Sequence, residues 1–118
     1  MYGVSVGQGA SASGGEDIAL GFAAQSNLAG VAVGANSWSS YSAVAIGKGA
    51  VANDSGIAIG YSAYADGYGL ALGNSAYAEY GNITLKSGNV EVKFTPEGMT
   101  LNGEPYGQGG SSGSIDRK

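Results

Sequence analysis

Eight tyrosines and one tryptophan are the side chains best suited to recognition in this 118-residue sequence, and their positions are ordered. Trp38, Tyr64 and Tyr77 fall at multiples of thirteen residues, as do Tyr41 and Tyr80, with Tyr68 one place beyond that second series. Rows of exposed aromatic rings stack on sugars or build protein interfaces, so these six are the receptor-binding candidates, with packing between copies of the chain as the other outcome. Covalent chemistry has less to work with. There is no cysteine and no histidine, so thiolate nucleophiles, Ser/His triads, zinc sites and haem ligation lose their commonest member.

Nine acidic side chains stand against five basic ones. Asn53, Asp66 and Glu79 lie thirteen residues apart, a spacing that would set oxygen ligands in a row for Ca²⁺. The Gly-Gly-x-Gly-x-Asp calcium nonapeptide is missing, so a solvated polar turn is expected instead. Gly7-x-Gly9, Gly47-x-Gly49 and Gly67-x-Gly69 resemble phosphate loops only superficially, because none opens a helix or precedes Lys-Ser/Thr. Asn53-Asp54-Ser55 and Asn82-Ile83-Thr84 match glycosylation sequons, which matter only in a eukaryotic secretory setting. No catalytic residue, cofactor or metal is expected. A net charge of -4 argues against nucleic acid or anionic membrane as partner. No apolar run reaches membrane-spanning length, so membrane insertion is not expected, and MYGVSVGQG lacks the parts of a signal peptide.

The elements that position these residues come from a repeat. VSVG, IALG, VAVG, VAIG, IAIG and LALG share one pattern, and their closing glycines are Gly7, Gly21, Gly34, Gly47, Gly60 and Gly73, an interval of 14 and then 13 four times. In a chain about one-fifth Gly, five prescribed glycines arise by chance about once in three thousand, so the period is real. Ala-x-Ala follows at Ala10/Ala12, Ala50/Ala52, Ala63/Ala65 and Ala76/Ala78, with Ala24/Ser26 and Ser37/Ser39 in the other coils. Thirteen residues make two short strands and two turns, with no room for a crossover helix, and stacked circuits give a parallel β-solenoid. Alternation places Val44/Ile46, Ile57/Ile59 and Leu70/Leu72 on one face of their strands. This face is expected to point into a thin wedge opposite Ala-x-Ala, leaving Ala45, Ala58 and Ala71 outside as a smooth strip for another copy. On that assignment Ile46→Asp should unfold the roll.

Val44-Ala-Ile-Gly47 followed by Lys-Gly-Ala-Val-Ala, and Ile57-Ala-Ile-Gly60 followed by Tyr-Ser-Ala-Tyr-Ala, resemble the head repeats of trimeric autotransporter adhesins of the YadA type. The resemblance covers about residues 4 to 86. It implies a left-handed parallel β-roll, three of which pack about a threefold axis as a homotrimer. The Ser, often Asn-Ser, that usually precedes the apolar pair in those heads is replaced here, for example by Tyr68-Gly69 and Gly81-Asn82, with Ser kept only at Ser42 and Ser55 two places before the strand, so their collagen ligand is not carried over.

Residues 83 to 106 change character, and the β-roll region 1–86 is expected to give way over 87–106 to a short β-meander or trimeric β-prism. Ile83/Leu85, Val90/Val92/Phe94 and Met99/Leu101 alternate with polar residues, predicting three strands from 83 onward, with turns at Ser87-Gly88-Asn89 and Pro96-Glu97-Gly98. The closing Asn102-Gly103-Glu104-Pro105 resembles turns of phage tail-fibre and spike shafts. Residues 107–118 read as a flexible Gly/Ser tail. Together these features imply a non-enzymatic trimeric fibre module that attaches a virion to a host-cell surface glycan or protein. The alternatives are the head of a bacterial surface adhesin and, more remotely, a fragment of a glycan depolymerase. A single-chain ice-binding solenoid would need ranks of Thr, and Thr84, Thr95 and Thr100 all lie beyond the six glycine-closed coils.

Overall fold

The computed structural model describes residues 3–106, so the tail expected at 107–118 lies outside the described residues. Within them the chain is all β, without a helix. Twelve short strands build a solenoid of six coils. In each coil one strand belongs to the first sheet: β1 (Val4–Val6), β3 (Ile18–Leu20), β5 (Val31–Val33), β7 (Val44–Ile46), β9 (Ile57–Ile59) and β11 (Leu70–Leu72). The other belongs to the second: β2 (Ser11–Ala12), β4 (Gln25–Asn27), β6 (Trp38–Ser40), β8 (Val51–Ala52), β10 (Tyr64–Asp66) and β12 (Tyr77–Glu79). Both ladders are parallel and hold the repeat register, with Val44 opposite Ile57 and Tyr64 opposite Tyr77.

The Ala-x-Ala wall of the second sheet faces inward as expected, but the inward face of the first sheet is the reverse of the expected one. Ala45, Ala58 and Ala71 are fully buried, and they face Ala50/Ala52, Ala63/Ala65 and Ala76/Ala78 from the second sheet. Val44, Leu70 and Leu72 are half-buried, while Ile46, Ile57 and Ile59 are 36 to 38% exposed on the outer face. Among the described residues, no valine, isoleucine or leucine is fully buried, and Thr84 is the largest side chain that is. The physical reason is volume: with Ala-x-Ala on one wall, an Ala on the other closes the sheets methyl to methyl without voids, whereas Val or Ile would hold them apart. Ser26 and Ser39 substitute for alanine in this core, and they satisfy each other through a 3.1 Å hydroxyl–hydroxyl hydrogen bond.

The closing glycines form a column along one edge. Gly47 has φ 132°, and a Cβ there would lie 2.5 Å from the carbonyl oxygen of Gly60 in the next coil. Both the positive φ and the close approach demand glycine, and the neighbour is the same chain one turn later. The single 14-residue interval is accommodated at Asp17, whose buried carboxylate accepts the Gly14 N–H and, at 2.9 Å, the Gly30 N–H.

β13 (Ile83–Ser87) is the hinge between two architectures. It pairs parallel with β11 and antiparallel with β14 (Val90–Thr95), and β15 (Gly98–Leu101) and β16 (Glu104–Tyr106) extend the same sheet to ten strands. The fourth strand, β16, was not expected because Asn102-Gly103-Glu104-Pro105 reads as a closing turn, of which only Asn102 and Gly103 form the turn. Its place at the sheet edge leaves the missing N–H of Pro105 without a ladder bond to break. Asn102 and Gly103, at φ 51° and 85°, make the two-residue hairpin before it. The second sheet stops at β12. There Thr84 takes the place of the inward alanine, and its hydroxyl donates to the Tyr77 carbonyl at 2.8 Å, capping the edge strand.

Candidate receptor-binding face

Trp38, Val51, Tyr64 and Tyr77 are successive register partners on the second sheet, at the outward position between two inward small residues. Parallel rungs place identical positions about 4.8 Å apart, so neighbouring rings must stack. The Tyr64 and Tyr77 rings do so, with centroids 4.9 Å apart and planes within 9°. The next outward position carries Asp66 and Glu79, also register partners. Tyr77 donates its phenol to Glu79 Oε2 at 2.6 Å, Tyr64 makes a long 3.5 Å contact to Asp66 Oδ2, and the Gly67 N–H donates to Asp66 Oδ1 at 2.8 Å. The bond to Glu79, with some burial and that carboxylate's charge, pushes the Tyr77 phenol up to about 12. Burial and the neighbouring Asp66 charge raise that of Tyr64.

Tyr41, Tyr68 and Tyr80 stand beside this ladder on the turns that leave the second sheet. Each turn places both central residues at positive φ: Tyr41/Ser42 at 58° and 64°, Asp54/Ser55 at 47° and 65°, Gly67/Tyr68 at 53° and 69°, Tyr80/Gly81 at 53° and 82°. This is the type I′ signature, for which Asn-Gly is the favoured pair. Tyrosine there is strained by roughly 1 kcal/mol. The turns stack through backbone bonds, Ser55 N–H to Tyr41 O at 2.9 Å and Tyr68 N–H to Asp54 O at 3.0 Å. Tyr41, Asp54, Ser55, Gly67, Tyr68 and Tyr80 thereby line one groove of about 430 Å³. Asp54, Ser55 and Gly67 were missed as site residues in the sequence; the thirteen-residue series 41, 54, 67, 80 is the signal that finds two of them.

The structure therefore gathers the six aromatic candidates into two adjacent rows, Trp38, Tyr64 and Tyr77 on the sheet and Tyr41, Tyr68 and Tyr80 on the turns. Asn53, Asp66 and Glu79 lie along the boundary between them, half-buried, and among the described residues no three acidic side chains converge as a metal site would require. The opposite side of the molecule is different in kind. Val44/Ile46, Ile57/Ile59, Leu70/Leu72, Ile83/Leu85, Val92/Phe94 and Met99/Leu101 share one face of the ten-stranded sheet. Comparison with known protein families, curated proteins and solved structures returned no match.

Proposed function

We propose that this chain is a non-enzymatic module of a trimeric virion tail fibre or spike, which attaches to a host-cell surface through its aromatic side. The observation that carries the reading is the uncovered apolar face of the ten-stranded sheet, lying opposite an exposed aromatic side. Two large apolar side chains per strand over nine of the ten strands, from half-buried to 60% exposed at Val6, amount to on the order of 1,000 Å², beyond the largest patches of ordinary monomers. That area matches what a stable association buries per partner. Three such faces turned toward a common axis would cover one another and leave Trp38, Tyr64 and Tyr77 pointing away from it. The aromatic rows are then free for a ligand rather than consumed between chains.

The resemblance of the coils to YadA-type heads supports the threefold arrangement, and the antiparallel extension after β13 favours a fibre shaft. The six coils themselves equally suit a bacterial surface adhesin, which is the second reading. Native mass by light scattering tests the assembly: three times the 11.6 kDa chain is expected. A monomer, or a face-to-face pair, would overturn it. Binding of labelled protein to host cells, reduced by Trp38→Ala with native mass unchanged, tests attachment. Loss of assembly in that variant would instead assign the row to the interface between chains.

A further inference from the structure

The groove between Tyr41 and Tyr80 has features that folding alone does not call for. Tyrosine occupies the left-handed turn position twice in the series where Asp54 and Gly67 fill the same place, and a third time in the adjoining position at Tyr68. Leu28/Ala29, the first turn of the same series, also lies at positive φ (58° and 66°), so the strain belongs to the turn row as a whole, and what singles out positions 41, 68 and 80 is the ring that each one exposes. Gly67 is what opens the floor: a Cβ there would lie 2.7 Å from Tyr80 Cδ1, so the Tyr80 ring rests over the space a side chain would take. Tyr41 and Tyr80 stand three rungs apart, about 14 Å, which is too long for one compact headgroup and suits an extended chain of rings. Tyr41, Tyr68 and Tyr80 are 57%, 76% and 72% exposed, so their faces are available to a ligand.

Charge narrows the ligand. Asp54 lies in the groove and Asp66 and Glu79 line its border, whereas Lys48, on the far turn edge beside the glycine column, is the only basic residue of the six coils, and Lys93 of β14 reaches the Tyr77 carbonyl at 3.5 Å without lining the groove. Carboxylates accept hydrogen bonds from hydroxyl and amino groups and repel anions. We propose that this groove binds a linear cell-surface glycan of neutral or aminated pyranoses, with Tyr41, Tyr68 and Tyr80 stacking on sugar faces and Asp54 and Ser55 bonding their hydroxyls. The proposal rests on the attachment reading for its biological role and specifies the ligand of that same side.

The test is an array of neutral, aminated and acidic oligosaccharides, the last sialylated, sulfated or uronic, probed with the full chain and run beside whole-cell binding. Retention is expected on members without acidic sugars. Tyr80→Ala should weaken it at least tenfold, and Gly67→Ala, which removes no aromatic ring but displaces the one at Tyr80, should do nearly the same. Asp54→Asn, which suits the left-handed turn equally well, should weaken neutral binding several-fold and relax the discrimination against acidic glycans. Tyr61→Ala, an equally exposed tyrosine on the far turn edge, should change nothing. Retention of acidic glycans alone, no retention, or retention indifferent to Tyr80→Ala and Gly67→Ala would overturn the proposal. Cell binding that persists without array binding would overturn the groove and spare the attachment reading, whereas loss of both would overturn both.

Discussion

The six coils and the four-strand extension share one sheet and one apolar face, yet they are stabilised differently. Each coil has a second layer, and methyl groups such as those of Ala58 and Ala65 are fully buried within a single chain. The extension has one layer. Behind Val92 and Phe94 lie Lys93 and Thr95, half-buried at most, so β14 to β16 own no core. A narrow two-sheet solenoid can thus fold as one chain, while a single-layer meander depends on what covers its apolar side. In the proposed assembly, the same outward side chains, Ile57/Ile59 in the coils and Val92/Phe94 in the extension, would play different parts: association in the first, folding in the second.

The largest expected effect separates inside from outside in the coils. Ala58→Leu should cost about 3 kcal/mol, since the methyl-thick core has no space for a larger side chain, and thermal melting of the variant would measure it. Ile46→Asp, by contrast, is now expected to keep the coil fold, because Ile46 is outward and 36% exposed. It should lower the native mass to that of one chain while far-ultraviolet dichroism of the coils persists. Unfolding of that variant would return Ile46 to the inside.

Amide exchange sharpens the contrast further. In the dissociated Ile46→Asp variant, amides of β14 and β15 should lose protection by orders of magnitude, while the ladder bonds of β7 and β9 stay protected. Equal protection in both regions would erase the distinction drawn between them. The smallest effect concerns the aromatic ladder. A phenol whose pKa is raised in the folded state adds stability that is complete below its ordinary value of 10.0 and is lost as pH rises through about 12. Tyrosinate absorbance should therefore show a late titration step that Tyr77→Phe removes, with little change in melting temperature at neutral pH.

Much of this molecule could be read from residue order. Gly34, Gly47, Gly60 and Gly73 announce the coil length, Ala-x-Ala marks the second strand, and the change of pattern after Leu85 announces the extension. The outward position of Trp38, Tyr64 and Tyr77 also follows from alternation alone. The inward alanines of the first sheet, Ala45, Ala58 and Ala71, did not follow, because the rule that larger apolar side chains seek the inside takes no account of how closely the two sheets approach. The fourth strand was hidden in the turn read at 102–105: a proline is tolerated in a strand at a sheet edge, and edges are known only when the sheet is assembled.

Spacing, strand period and turn positions are properties of linear order, and here the sequence alone was sufficient for them. Which face of a strand turns inward depends on the separation of two sheets, a distance set jointly by all the coils that stack. In this chain that separation admits methyl groups and little else, so valine, isoleucine and leucine are left outside. The groove has the same origin: Tyr41, Asp54, Gly67 and Tyr80 lie far apart along the chain, and only parallel stacking of their turns at about 4.8 Å brings them to one surface.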